Sequence, residues 1–216
     1  VTAATGAPAW LSNATAGDFI RIGLTYHEIA SVNSEAQLTL RQRYNGPSRS
    51  GVSYGIARYG TGFHFEGFTA RDPRRASSTG AQDATFGAIC LRFARDITIR
   101  GCRVEKNTAS TFSSAGGLAY LENCHNVLLT GNSTRDSGLV ATMNSALVTI
   151  SDNDVSGADV AAMGAIAVSG SANDEPLFGT VITGNRVYNS RGGLERCAIF
   201  YGPLSETGIP LRGSFV

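Results

Sequence analysis

Phe63-His64-Phe65-Glu66-Gly67, Ile97-Thr98-Ile99-Arg100-Gly101 and Val127-Leu128-Leu129-Thr130-Gly131 are the first of six copies of one pattern. Val148-Thr149-Ile150-Ser151-Asp152, Thr180-Val181-Ile182-Thr183-Gly184 and Ile209-Pro210-Leu211-Arg212-Gly213 complete it. Each copy alternates over a few residues, which is the period of a strand and not of a helix. Two residues before the turn position stand Phe65, Ile99, Leu129, Ile150, Ile182 and Leu211. Three residues after it stand Ala70, Val104, Thr134, Val155, Val187 and Val216. A column that stays apolar while its neighbours vary puts that side chain in the same surroundings in every copy.

The turn positions 67, 101, 131, 152, 184 and 213 step by 34, 30, 21, 32 and 29 residues. A second strand follows in each copy: Ala88-Ile89-Cys90-Leu91, Gly117-Leu118-Ala119-Tyr120, Gly138-Leu139-Val140-Ala141, Ala165-Ile166-Ala167-Val168 and Ala198-Ile199-Phe200-Tyr201. Two or three short strands per repeat, punctuated by Gly, Asn and Asp, predict an all-β stack: a parallel β-helix of about six copies, each about 4.8 Å above the last. It is expected to occupy residues 60–216. The residue after the turn is Asn in three successive copies, Asn132, Asn153 and Asn185. Stacked amides at one bend can bond their neighbours above and below, so these are expected to form a structural ladder.

The 216 residues include 26 Gly and only 16% charged residues, with a net charge of +1. That composition suits a turn-rich β chain, and it carries no electrostatic footprint for nucleic acid. No apolar run approaches the roughly 18 residues of a membrane-spanning helix. Cys90, Cys102, Cys124 and Cys197 form no C-x-x-C pair, and no His stands at metal spacing. They read as buried free thiols, with Cys90 and Cys102 in core or ladder positions.

Residues 1–59 do not follow the repeat. Phe19-Ile20-Arg21-Ile22, Tyr26-His27-Glu28-Ile29-Ala30-Ser31-Val32, Gln37-Leu38-Thr39-Leu40 and Val52-Ser53-Tyr54-Gly55-Ile56 are short strands separated by turn residues. Their spacing predicts a small antiparallel barrel or sandwich. With Ala9-Trp10-Leu11-Ser12-Asn13 and Gly17-Asp18, residues 9–57 resemble the small β-module of tail and fibre proteins of tailed bacteriophages. The repeat region is similar to the right-handed β-helix superfamily of pectate lyases and phage tailspikes. The resemblance implies a virion component, assembled in the bacterial cytoplasm as a homotrimer with other virion proteins and facing bacterial surface polysaccharide. β-Helices host lyases and hydrolases as well as inert shafts, so the fold alone does not decide the activity. A polysaccharide-degrading tailspike enzyme and a non-viral adhesin are the alternative readings.

A glycosidase needs two carboxylates flanking the scissile bond. Four residues past the turn, three copies place Arg71, Glu105 and Arg135; five past it, Asp72, Lys106 and Asp136. Asp72 and Asp136 would lie about 9 to 10 Å apart, two strand spacings, with Lys106 between them. An ammonium there holds both carboxylates ionised, whereas inverting chemistry needs one protonated acid. The columns therefore read as an alternating charge ladder, with Asp72 and Asp136 as the weak catalytic candidates. Asp152-Asn153-Asp154 resembles the start of a Ca²⁺ loop but lacks its other ligands. No cofactor or metal is expected. Loops at 70–87 and 105–116 are the longest and are the expected partner surface. The last copy stops just after its turn, which leaves an open strand edge to be covered by further chain or by a partner.

Overall fold

The computed structural model describes residues 9–22, 25–44, 48, 53–71, 87–105, 117–160, 165–170, 179–189, 191–192, 199–203 and 213–215. The described residues are all-β apart from a one-turn helix, α1 (Trp10–Asn13). Four strands come first: β1 (Phe19–Ile22), β2 (Thr25–Ser34), β3 (Gln37–Leu40) and β4 (Tyr54–Ala57). They form one antiparallel sheet in the order β3-β2-β1-β4. The period-two pattern of Phe19-Ile20-Arg21-Ile22 gives these strands two distinct faces. Ile20 packs with Trp10, Ala14, Ile29 and Leu38 on one face, while Phe19, opposite Glu28, lies on the other. That second face meets Tyr59 and His125.

The rest of the described residues build three larger parallel sheets and a two-stranded one that pairs Asp159–Val160 with Arg191–Gly192. Sheet I takes Gly60–Glu66, Ala94–Arg100, His125–Thr130, Ala146–Ser151, Thr180–Thr183 and Gly213–Phe215, neighbours in chain order. Sheet II takes the strands after each turn, Thr69–Arg71, Arg103–Glu105, Ser133–Arg135, Asp154–Ser156 and Arg186–Tyr188. Sheet III takes Ile89–Arg92, Gly117–Glu122, Gly138–Met143, Ile166–Gly170 and Ile199–Pro203. Phe65, Ile99, Leu129, Ile150 and Ile182 are direct register partners in sheet I. Ala70, Val104, Thr134, Val155 and Val187 are partners in sheet II. Ile99, Leu129, Ile150, Val104 and Val155 are fully buried in one core shared by the three sheets. Burying each such side chain contributes about 1.5–3 kcal/mol.

Two registers differ from the sequence pattern. In sheet I, Gly213 pairs with Thr180 and Phe215 with Ile182. Gly213 thus begins a strand and is not a sixth turn glycine. Residues 209–212 and 216 lie outside the described residues. In sheet III, Ile89 pairs with Ala119 and not Leu118, and Ile166 with Val140 and not Leu139. The cause is burial on both faces: residues 117–121 and 138–142 are buried throughout. A strand buried on both sides loses the alternation that reports its register.

Bends between strands use left-handed residues, and these stack. The turn column Gly67, Gly101, Gly131, Asp152 and Gly184 has φ of 68, 61, 63, 55 and 64°. The N–H groups of the first four turn residues bond to the next copy, as in Gly67 N to Arg100 O at 3.1 Å and Asp152 N to Thr183 O at 3.2 Å. A second column runs through sheet I as Gly62, Asp96, Asn126, Leu147 and Gly179. Leu147, at φ 54°, is the misfit, because an L residue with a large side chain costs about 1–2 kcal/mol there. Asn tolerates this conformation and already occupies the neighbouring position 126. Leu147→Asn is expected to stabilise the protein by about 1 kcal/mol, raising the melting midpoint by about 2–4 °C. Scanning calorimetry checks this; an unchanged or lower midpoint would mean that Leu packing outweighs the backbone relief.

Candidate functional site

Asn132, Asn153 and Asn185 lie one above another, and Asn132 and Asn153 are each 1% exposed. Asn132 Oδ1 accepts from Cys102 N at 2.9 Å. Asn153 Oδ1 accepts from both Asn132 N and Asn132 Nδ2, each at 2.9 Å. Asn185 Oδ1 accepts from Asn153 N at 3.1 Å and from Asn153 Nδ2 at 2.8 Å. Each carboxamide also donates to a main-chain carbonyl of the preceding copy: Asn132 to Ile99 O, Asn153 to Leu129 O and Asn185 to Ile150 O. Cys102 takes the same place one copy earlier, its Sγ lying 3.5 Å from Phe65 O. A second, shorter ladder joins Cys124 to Ser145, whose Oγ accepts from Cys124 N at 3.0 Å. Burial pushes the Cys124 thiol up to about 12, so it stays protonated as a packing and donor group. Cys90 departs from expectation: it is exposed, on the outward side of sheet III. Cys197 lies outside the described residues.

Arg71, Glu105 and Arg135 are register partners across sheet II. Arg71 Nε approaches Glu105 Oε2 at 3.2 Å, and Arg103 Nη2 approaches Glu105 Oε1 at 2.7 Å. Arg71 and Arg103 are more than half exposed, so these pairs contribute at most about 1 kcal/mol each. Asp72 and Lys106 lie outside the described residues, as do 72–86 and 106–116 of the long loops. Asp136 is a bend residue at φ 51°. Its carboxylate sits over Gly157, where an added methyl would come within 2.6 Å of Oδ1. Asp152, Asn153 and Asp154 do not converge on an ion. Asp152 is a turn residue, Asn153 belongs to the ladder, and Asp154 faces Arg186 at 3.7 Å. Among the described residues no group of three or more His, Cys, Asp or Glu could hold a metal. No helix among them is long and apolar enough to cross a membrane.

The densest set of polar and aromatic groups lies elsewhere, where the antiparallel sheet meets sheet I. Arg95 is its hub. Its Nη1 donates to Glu28 Oε1 at 3.0 Å and to Gly17 O at 3.3 Å, and its Nε to Asp96 Oδ2 at 2.9 Å. Glu28 also pairs with Arg41 at 2.8 Å and is itself buried. Asp96 accepts from Asn126 Nδ2 at 2.7 Å and from Thr61 Oγ1 at 2.9 Å. Its hydrogen bonds, from Asn126 first and then Arg95, hold its carboxyl down at about 2. The hydrogen bond to Asp96 is also the main cause that raises Arg95.

Around this hub Phe19 stacks on Tyr59, with centroids 3.8 Å apart and planes at 12°. His125 meets Phe19 edge-on at 5.2 Å, and Tyr26 and Phe93 complete the cluster at 5.3 Å. His125 is 6% exposed, and burial brings its imidazole down to about 4. Burial likewise raises the Tyr59 phenol. The site therefore holds two carboxylates, a guanidinium and a neutral imidazole, which bind two sheets together. Sequence reasoning passed over these residues. The available signal was Arg95-Asp96, two charges inside a strand whose other copies begin with smaller or neutral residues.

No protein-family model, no curated protein and no solved structure matches the chain.

Asn153 is the hub of the ladder. Asn153→Ala leaves the buried main-chain N–H of Asn132 and one of its amide hydrogens without their acceptor, at a cost of about 2–4 kcal/mol. Cys102→Ala removes only long thiol contacts and is expected to cost about 1 kcal/mol. Urea titration of both variants checks the order; equal losses would remove the ladder from its central place.

Proposed function

We propose that the chain is a right-handed parallel β-helix carrying a small N-terminal β-module, and that it serves as a rigid structural body in the tail, fibre or tailspike of a bacteriophage or phage-like particle. The observation that carries this reading is the chain-order pairing of strands in the three larger parallel sheets, with matching columns of apolar side chains and an Asn ladder stacked from copy to copy. Such stacking makes each repeat a spacer that contacts its neighbours, which is how an extended, stiff element is built. The charged and aromatic junction supports the reading further, because it anchors the N-terminal module against sheet I.

The partners of this body are two further copies in a homotrimer and other virion proteins. Bacterial surface polysaccharide is the ligand class its outer surface would meet, as part of host attachment. Asp136 is accounted for as a bend residue over Gly157, so the reading assigns it no catalytic role.

Light scattering on the purified chain tests the assembly. A mass of three chains that persists at micromolar concentration is expected. A stable monomer over the same range would count against a virion body of this kind.

A further inference from the structure

His125 is a buried residue that neighbours the Arg95 guanidinium. It projects from the third strand of sheet I, in register with Arg95 on the adjoining strand. Its ring is buried against Phe19 of β1, which in turn stacks on Tyr59. The charged and titratable groups around it are Arg95 and Asp96 from sheet I and Glu28 and His27 from β2. The two carboxylates are already engaged: Glu28 with Arg95 and Arg41, Asp96 with Arg95, Asn126 and Thr61. An imidazolium would add a second cation beside Arg95, on a ring that is itself buried.

We propose that the antiparallel sheet is held to the parallel sheets by an acid-sensitive latch, in which protonation of His125 beside Arg95 separates Phe19 and Tyr59 from the body and frees the N-terminal module. The separated module keeps its own core, because Trp10, Ala14, Ile20, Ile29 and Leu38 lie on its other face.

The sign follows from the direction of the shift. The imidazole is held at about 4 in the closed state, below its ordinary value of about 6.5. The contribution of neutral His125 to closure is therefore complete above pH ~6.5 and is lost as the pH falls through about 4. Asp96, held at about 2, stays ionised over this window and does not cause the release. Between pH 7 and pH 4 the opening equilibrium is expected to rise by about 100-fold.

The test uses the full chain carrying 3-fluorotyrosine, with the Tyr59 fluorine signal assigned through Tyr59→Phe. Trp10, the single tryptophan, reports the module core by its fluorescence. In the wild type the Tyr59 signal is expected to move to its solvent-exposed position between pH 6.5 and 4, while Trp10 emission stays native. His125→Phe, which cannot be protonated, and His125→Gln, which keeps a neutral polar group, are expected to hold Tyr59 in its closed position at pH 4. A wild-type signal unchanged at pH 4 would overturn the latch. So would opening of both variants at the wild-type pH, or loss of Tyr59 and Trp10 signals in one global transition.

Discussion

A buried carboxamide column decides how the parallel sheets stack. Asn132, Asn153 and Asn185 each join three things: the main-chain N–H and side chain of neighbouring ladder residues, and a carbonyl of the preceding copy. Parallel strands alone permit slippage, since a shift of register leaves the same kind of main-chain bonds available. A shift would instead strand these amides among Ile99, Leu129 and Ile150, and a buried amide without a partner is costly. The ladder therefore specifies register, and the apolar columns on either side supply most of the stabilisation. Cys102 shows the minimum requirement at that bend: a small side chain with a donor that reaches the carbonyl below.

The second constraint acts across the two parts of the chain. Glu28 is buried between Arg41 and Arg95, and Arg95 is tied to Asp96 and the Gly17 carbonyl. A charge network of this kind is a weak source of net stability, because its desolvation offsets much of its attraction. Its value is geometric: it holds Phe19 against Tyr59 and His125, and so sets where the antiparallel sheet sits on sheet I. The same packing that fixes the junction makes a neutral imidazole a condition of closure.

Much of this was legible in the sequence where one residue type repeats in a column. Gly at the turn, Asn after it and Ile, Leu or Val before it mark the strands of sheets I and II, and their pairing follows the pattern. The other left-handed columns were not legible. Phe93, Asn123 and Asn144 share a bend in which only the last two are alike, and Asp136, Gly157 and Asn189 share one built from three different residues. There the backbone conformation is common and the residue identity is not. Sheet III hid its register because both faces of its strands are buried. Gly213 misled because a glycine before Ser and Phe reads as a turn until its partner, Thr180, is known. The junction was hidden for a different reason: Arg95 and His125 hold the same place in successive copies, but Glu28 lies outside the repeat and nothing periodic links it to them.

The most direct measurement is the solvent exchange of the side-chain amide protons of Asn132 and Asn153, followed by NMR at neutral pH. If the ladder holds the register, these protons exchange only when the sheets come apart, at the same slow rate as the core N–H groups of Leu129 and Ile150. Exchange at the rate of a surface asparagine, with the core N–H groups still protected, would contradict the account.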